Sequence, residues 1–201
     1  MIVVVDSLKK EFSAPVWLMQ PIPYFGETLG KDWIYEPKID GWRLQIIKYP
    51  NGKIECWGRR LEKKPNWTNN LSIVIKAAQD FPSGTIVDAE LYSTRGRRFI
   101  PSVIARNRKA KPLVYLFDII YYRGKFVGNL SLRERKKLLE RIVVKPPLYI
   151  VEYKPMVNIK KHLMDMVNKK HEGIVLKKLS SPYILSTAAP IATEFWRKIR
   201  I

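Results

Sequence analysis

Residues 33–57 hold three short apolar runs separated by two tight-turn signals, and this spacing constrains the fold more than any other stretch. Trp33, Ile34 and Tyr35 open the first run. Asp40-Gly41 interrupts it, and Trp42, Leu44, Ile46 and Ile47 form the second. Pro50-Asn51-Gly52 ends that run, and Ile54, Cys56 and Trp57 follow. Asp-Gly and Asn-Gly pairs suit tight reversals because their residues tolerate positive φ. The pattern predicts strands over 34–38 and 42–49, with 53–57 folding back on the second as a hairpin. A chain that reverses within a few residues builds antiparallel ladders, because a parallel pairing needs a crossover of a dozen or more residues.

The rest of the chain keeps to this plan. Leu71, Val74, Ile75 and Ala78 recur at helical spacing and predict a helix over about 68–80, stopped by Pro82-Ser83-Gly84. Strands are expected over 85–92, 113–120, 148–151 and 173–177. Phe99, Val103 and Ile104 suggest a short helix. Ser131 with Glu134 forms a capping box that opens a helix reaching about 142. Asn158 can cap another, in which Ile159, Leu163, Met166 and Val167 share a face. Residues 1–32 read as a lead-in segment laid over the core, with a strand candidate at 2–5 and an irregular stretch through Gln20-Pro21-Ile22-Pro23. There is no internal repeat, low-complexity tract or linker. The expectation is one domain over 1–201, α+β in class, with mainly antiparallel β-sheets flanked by helices rather than a doubly wound parallel sheet.

Charge narrows the partner. Lys and Arg number 37 against 18 Asp and Glu, a formal charge of +19. Such a surplus favours a polyanion, nucleic acid before membrane. Arg95, Arg97, Arg98, Arg106, Arg108, Lys109 and Lys111 crowd residues 93–111 with no acid between them, a run that suits a nucleic-acid backbone. The lone Cys56 cannot form an internal disulfide, which fits a reducing cytoplasm. The apolar run at 1–5 is too short for a secretion signal, and no stretch approaches the roughly 20 apolar residues of a membrane span. A cytoplasmic or nucleoid-associated monomer is expected.

Lys38 stands two residues before Asp40-Gly41, with Arg43 two beyond, between two strands. A lysine so placed can be a nucleophile, but only as the neutral amine. From a free pKa near 10.4, deprotonation at pH 7 costs about 4–5 kcal/mol. Burial, neighbouring cations and a metal lower that cost. Lys177 and Lys198, in strands, can supply cations. Asp40, Asp88, Glu90 and Glu172, each at a turn or strand end, are candidates to hold Mg²⁺ against nucleotide phosphates. His162 and His171 are too few for a metal cluster and carry no assigned role.

Lys38-Ile39-Asp40-Gly41-Trp42-Arg43 resembles the Lys-x-Asp-Gly-x-Arg signature of the covalent nucleotidyltransferases, the superfamily of DNA ligases, RNA ligases and mRNA capping enzymes. Further elements follow in that superfamily's order. Gly58-Arg59-Arg60 stands where it has a Ser-Arg element. Asp88-Ala89-Glu90-Leu91 is similar to its Asp-Gly-Glu-Leu motif, and Leu116-Phe117-Asp118-Ile119 to its Phe-Asp motif. Glu172-Gly173-Ile174-Val175-Leu176-Lys177 fits Glu-Gly-x-Val-x-Lys, and Trp196-Arg197-Lys198-Ile199-Arg200 resembles the closing Trp-x-Lys-x-Lys. The likeness covers about residues 15–201. Glu36-Pro37-Lys38 and Phe117-Asp118-Ile119-Ile120-Tyr121 look most like ATP-dependent DNA ligases.

The resemblance implies the superfamily's nucleotidyltransferase core, which is ATP-grasp-like, and a set of roles. Lys38 attacks the α-phosphate of ATP and becomes lysyl-AMP. Asp40 and Lys198 complete the catalytic set, with Lys198 on the α-phosphate. Glu36 sits beside the adenine amino group, Arg43 and Glu90 reach the ribose, and Phe117 stacks on the purine. Glu172, with Glu90, holds Mg²⁺ or Mn²⁺. Arg59 touches phosphate of ATP or of the nick, and Lys177 and Arg200 join the nucleotide-binding set. The partner implied is nicked double-stranded DNA, contacted by Arg59, Arg95, Arg97, Arg98, Arg106 and Arg108. An RNA ligase or a GTP-using capping enzyme is the nearest alternative. A non-catalytic nucleic-acid-binding module is the alternative from another class.

Three departures stand out. Arg200 replaces the last lysine, and Pro190, Ile191 and Ala192 stand where many DNA ligases carry a basic residue. The stretch after Arg200 is too short for the oligonucleotide-binding barrel that normally follows. The expectation is an adenylation domain without that barrel and without a separate DNA-binding domain, its partner domain supplied elsewhere.

Overall fold

The computed structural model describes residues 11–105, 109–169 and 171–201. The strand candidate at 2–5, Arg106 and Arg108 lie outside the described residues. In chain order the strands are β1 (Gln20–Pro23), β2 (Trp33–Pro37), β3 (Trp42–Lys48), β4 (Ile54–Gly58), β5 (Thr85–Ser93), β6 (Pro112–Tyr122), β7 (Lys125–Phe126), β8 (Leu148–Ile150), β9 (Lys154–Pro155), β10 (Gly173–Lys178) and β11 (Ala192–Arg200). The helices are α1 (Ser72–Ala77), α2 (Ile100–Ile104), α3 (Leu132–Glu140) and α4 (Ile159–Asn168).

Two sheets result. One has the order β1-β11-β10-β2-β9; the other runs β4-β3-β5-β6-β7, with β8 added alongside β6. Among these, β1 with β11 and β6 with β8 pair in parallel, and every other ladder is antiparallel. This is the α+β, mainly antiparallel architecture that the turn spacing predicts. The Pro50-Asn51-Gly52 hairpin forms, with Tyr49 N–H donating to the Lys53 carbonyl at 2.8 Å.

The sheets face one another across an inner cluster that includes Leu18, Met19, Ile47, Phe117, Tyr183 and Trp196. On its far side the second sheet packs Leu44, Ile46, Val87, Leu91, Leu116 and Ile119 against residues of α1 and α2. The first sheet buries Ile174 and Leu176 against Met166 of α4. Alternation along β3 and β5 therefore turns Arg43, Asp88 and Glu90 away from the outer cluster. Gln45 both donates to and accepts from the backbone of Val16 at 2.9 Å, pinning residues near 16 over the inner face.

Strand β6 departs from simple alternation. Asp88 pairs with Asp118 and Ala89 with Leu116, so Phe117 has no partner across the ladder; Ile120 is skipped in the same way beside Ile86 and Val87. Such extra residues re-aim side chains. Here they turn Phe117 and Ile120 into the inner cluster while Leu116 and Ile119 stay in the outer one.

Two local expectations are corrected. The helix expected over 68–80 is a 3₁₀ turn at Thr68–Asn70 followed by the six-residue α1. The edge strand β4 captures its start, because Trp67 N–H donates to the Cys56 carbonyl and Cys56 N–H donates to Thr68 Oγ1. The stretch expected to be irregular at 20–23 is β1, an edge strand, where prolines are tolerated because their missing donors need not serve a central ladder. The capping box of α3 is complete, and Asn158 Oδ1 caps α4 by accepting from Lys161 N–H.

Candidate active site

Between the sheets lies a cavity of about 580 Å³, lined by Glu36, Lys38, Asp40, Arg43, Arg59, Glu90, Arg97, Phe117, Lys177, Lys198 and Arg200 among others. Each arrives from a different place in the chain. Lys38 follows β2 directly, and its backbone N–H donates to the Gly173 carbonyl at 2.9 Å. Asp40 and Gly41 make the crossing to β3. Gly41 is required there because a Cβ would stand 2.3 Å from the Leu91 carbonyl oxygen and 2.7 Å from Glu90 Cγ. On β11, alternation puts Trp196, Lys198 and Arg200 on one face, so one ring and two cations reach the cavity together.

Lys38 Nζ is ion-paired with Glu172, whose other oxygen lies 3.0 Å from Arg200 Nε. Gly173, next in the chain, has φ +148°, and a Cβ on it would meet the Ile199 carbonyl oxygen at 2.0 Å. The Glu-Gly pair thus combines a carboxylate with a backbone thin enough for β11 to pass.

The floor is aromatic and cationic. Lys177 Nζ lies 4.2 Å from the Trp196 ring centre and 4.4 Å from that of Phe117. Burial pushes its pKa down to about 8, against the pull of Glu36. Glu36, 3% exposed, has one oxygen 2.7 Å from Lys177 and the other ion-paired with Lys136. Arg43 stacks over Phe117 at 4.6 Å and grips Asp88 through Nε at 2.5 Å and Nη2 at 2.6 Å. It also donates to the Met19 carbonyl. Tyr183 donates to the same carboxylate at 2.6 Å. Burial raises the Asp88 pKa, although Arg43 and Tyr183 work against it. Glu90, directly across the ladder from Arg43, is pushed up to about 7 by burial, opposed by Arg43 and Lys38.

The rim carries the remaining residues expected from the sequence. Arg97 is ion-paired with Asp40, which ties the basic segment to the turn after the lysine. Arg59 Nη1 donates to Gln20 Oε1 at 3.3 Å. Arg95 lies over the Phe99 ring at 4.3 Å and Arg98 is exposed, so neither lines the cavity. Among the described residues, no three His, Cys, Asp or Glu side chains converge to hold a metal. His162 stacks on Tyr35 at 4.0 Å and accepts from the Asn158 N–H, a structural position.

Sequence reasoning missed the support beneath the floor. Arg135 and Lys136 are fully buried on α3. Arg135 forks onto Asp118 at 2.8 and 3.0 Å, which explains an acid within an apolar strand. Burial pushes Asp118 up, but Arg135, Lys177 and Lys136 more than offset it and hold the carboxyl below its usual range. A signal was present: Leu132, Arg135, Lys136 and Leu139 fall at i, i+3, i+4 and i+7, the core-facing stripe of a helix.

The chain matches the family model described as ATP dependent DNA ligase domain over residues 18–189. It is 33% identical over 170 residues to a DNA ligase of Methanosphaera stadtmanae, spanning 75% of this chain and 30% of that protein. It is 37% identical over 189 residues to DNA ligase 4 of Kluyveromyces lactis, spanning 79% of this chain and 21% of that one. The chain thus spans about a third or less of these two relatives. Among solved structures, mycobacterial DNA ligase D complexed with ATP superposes with a TM-score of 0.68 at 20% identity, over 91% of this chain and 60% of that chain. The ATP-dependent DNA ligase from bacteriophage T7, complexed with ATP, gives 0.63 at 14% identity, over 92% and 68%. These likenesses show that the fold is shared.

Proposed function

The chain belongs to the family of ATP-dependent DNA ligase domains, and from that premise we propose that it transfers AMP from ATP, through Lys38, to the 5′-phosphate of a nick in duplex DNA. The observation that carries this reading is the convergence of Lys38, Lys198, Arg59 and Arg200 on one cavity floored by Phe117 and Trp196. Beside the Lys38 amine, three cations suit a triphosphate, and a flat ring suits a purine. The Lys38 ammonium gives up a proton to water, its amine forms a P–N bond to the α-phosphorus while the bond to the bridging oxygen breaks and pyrophosphate leaves, and the second nitrogen proton passes to water as the phosphoramidate forms. Lys198 neutralises charge that grows on the α-phosphate, and Arg59 and Arg200 hold the departing phosphates. Glu90 and Arg43 face the ribose. A 5′-phosphate oxygen then takes the AMP, and the neighbouring 3′-hydroxyl displaces it to close the strand.

The residues fit a magnesium ion held mainly by the nucleotide. Mg²⁺ commonly takes one or two carboxylates and completes its shell with phosphate oxygens and water. Glu172 beside Lys38 provides one such carboxylate, with Glu90 on the opposite wall as the second. When bound, the ion neutralises phosphate charge. Glu172 would then serve both the ion and the Lys38 ammonium, its partner in the structure. The exposed cations Arg95 and Arg98, with Arg97 and Arg59, extend the positive surface from the cavity toward a DNA backbone.

Incubation with α-labelled ATP and Mg²⁺, followed by denaturing electrophoresis, tests the reading. Label is expected from ATP, not from GTP, and not with Lys38→Ala. A folded parent protein that takes no label from ATP contradicts it. Competing nicked DNA with nicked RNA in a sealing reaction identifies the strand.

A further inference from the structure

Lys136 lies on α3, outside every motif that faces the cavity, and does not line it. Its side chain is nevertheless 1% exposed, and its Nζ joins two groups that do line the cavity. It donates to the Phe117 carbonyl at 2.8 Å and is ion-paired with Glu36. Phe117 stands on the bulge of β6 in one sheet and Glu36 on β2 in the other, so the ammonium spans the seam between them.

The helix that carries it is held firmly. Leu132 and Leu139 are fully buried, the capping box closes its first turn, and Arg135 forks onto Asp118 one position along the chain from Phe117. Lys177 holds the second oxygen of Glu36 at 2.7 Å while resting against the Phe117 ring. The carboxylate is therefore held through both oxygens and cannot turn freely relative to the ring. A carboxylate offers about four lone-pair positions, so two cations leave room for an N–H from a ligand.

We infer that Lys136 is a positioning residue for base recognition: it fixes the Glu36 carboxylate against the Phe117 ring so that a purine stacked there presents its 6-amino group to an acceptor. Adenine donates at that position, whereas guanine presents an acceptor oxygen to the same carboxylate and is repelled. The inference rests on the proposal that ATP loads Lys38, and adds how the base is chosen.

The test compares lysyl-nucleotide formation from ATP and from purine riboside 5′-triphosphate, which lacks the 6-amino group. The parent should prefer ATP by about tenfold or more in kcat/KM, the scale of one hydrogen bond to a charged group. Lys136→Met should bring the ratio to within about twofold, mainly through KM for ATP, because Lys177 alone holds one oxygen and the carboxylate is free to turn away from the ring. Lys136→Gln, which keeps a donor for the Phe117 carbonyl, gives the same reading should the methionine variant not fold; Glu36→Gln sets the floor. A merely structural role depresses both nucleotides alike, and an unchanged ratio in either folded variant overturns the inference while leaving Lys38 loading intact. Absence of label on the parent with both nucleotides overturns the inference and the loading proposal together.

Discussion

The Lys38 ammonium is held by Glu172, and the opposite oxygen of that carboxylate lies 3.0 Å from Arg200 Nε. One side chain thus pairs with both Lys38 and Arg200, and under the proposed function it is also the carboxylate offered to the metal. Glu172→Gln should slow lysyl-AMP formation by roughly 100-fold, the scale seen when a group that organises transition-state charge is removed. Single-turnover label transfer at saturating ATP measures it, and a rate within twofold of the parent contradicts the assignment.

Arg43 and Asp88 form a buried fork, so removing one partner strands the other. Asp88→Ala should cost about 3–5 kcal/mol in denaturant unfolding, because the guanidinium is left buried without its counterion. Arg43→Lys should also be poorly tolerated, since an ammonium cannot reproduce the two-point contact. A loss below 1 kcal/mol for Asp88→Ala would show that water or a neighbour replaces the carboxylate.

Glu90 has a pH signature with a definite sign. Burial raises its folded pKa to about 7, above the ordinary 4.5, so the folded chain keeps a proton that the unfolded chain has released. Stability attached to this group is present below pH 4.5 and lost as pH rises through 7. Glu90→Gln removes that slope. The variant should gain on the order of 2 kcal/mol relative to the parent between pH 5 and pH 8. Parallel stability curves for the two proteins would refute the burial argument.

Gly173 sets how closely β11 passes β10. Gly173→Ala combines a φ that side chains rarely adopt with a contact to the Ile199 carbonyl that must give way. The expected cost is roughly 1–3 kcal/mol, with a larger loss of nucleotide loading because Glu172 is the preceding residue. Comparing the melting shift with the adenylation rate separates the two effects.

Arg95 and Arg98 lie outside the cavity, so their removal should spare adenylation while weakening DNA. For each residue that touches a phosphate, the slope of log K against log salt for nicked duplex should fall by about one. Unchanged slopes in both single alanine variants would remove this segment from the DNA-facing surface.

Turns and alternation made most of the fold legible. Pro50-Asn51-Gly52 marks a hairpin that the structure makes, whereas Asp40-Gly41 carries the chain from one sheet to the other rather than folding β3 back on β2; the strands around both run within a residue or two of expectation. The failures have physical causes. β1 was hidden because Pro21 and Pro23 argue against a strand unless it is known to be an edge, which only the fold reveals. Phe117 reaches the cavity through a bulge, and a period-two reading of an apolar strand cannot tell which residue will be skipped. Arg135 and Lys136 were hidden by their chemistry: charge on a helix ordinarily means a solvated face, yet their spacing from Leu132 and Leu139 places them inward.

The position of β11 between β1 and β10 carries a temporal consequence. Residues 192–200 insert between β1, translated far earlier, and β10, translated just before, and they deliver Trp196, Lys198 and Arg200 to the cavity. At about 5–20 residues per second, the signature lysine leaves the ribosome on the order of ten seconds before these partners. During that interval Lys38 lacks Trp196, Lys198 and Arg200, although Phe117 and Arg59 are already in the chain. Under the proposed function, acquisition of AMP therefore reports the docking of β11, and a pulse-labelled nascent chain should remain blank until residues 192–200 have joined the sheet.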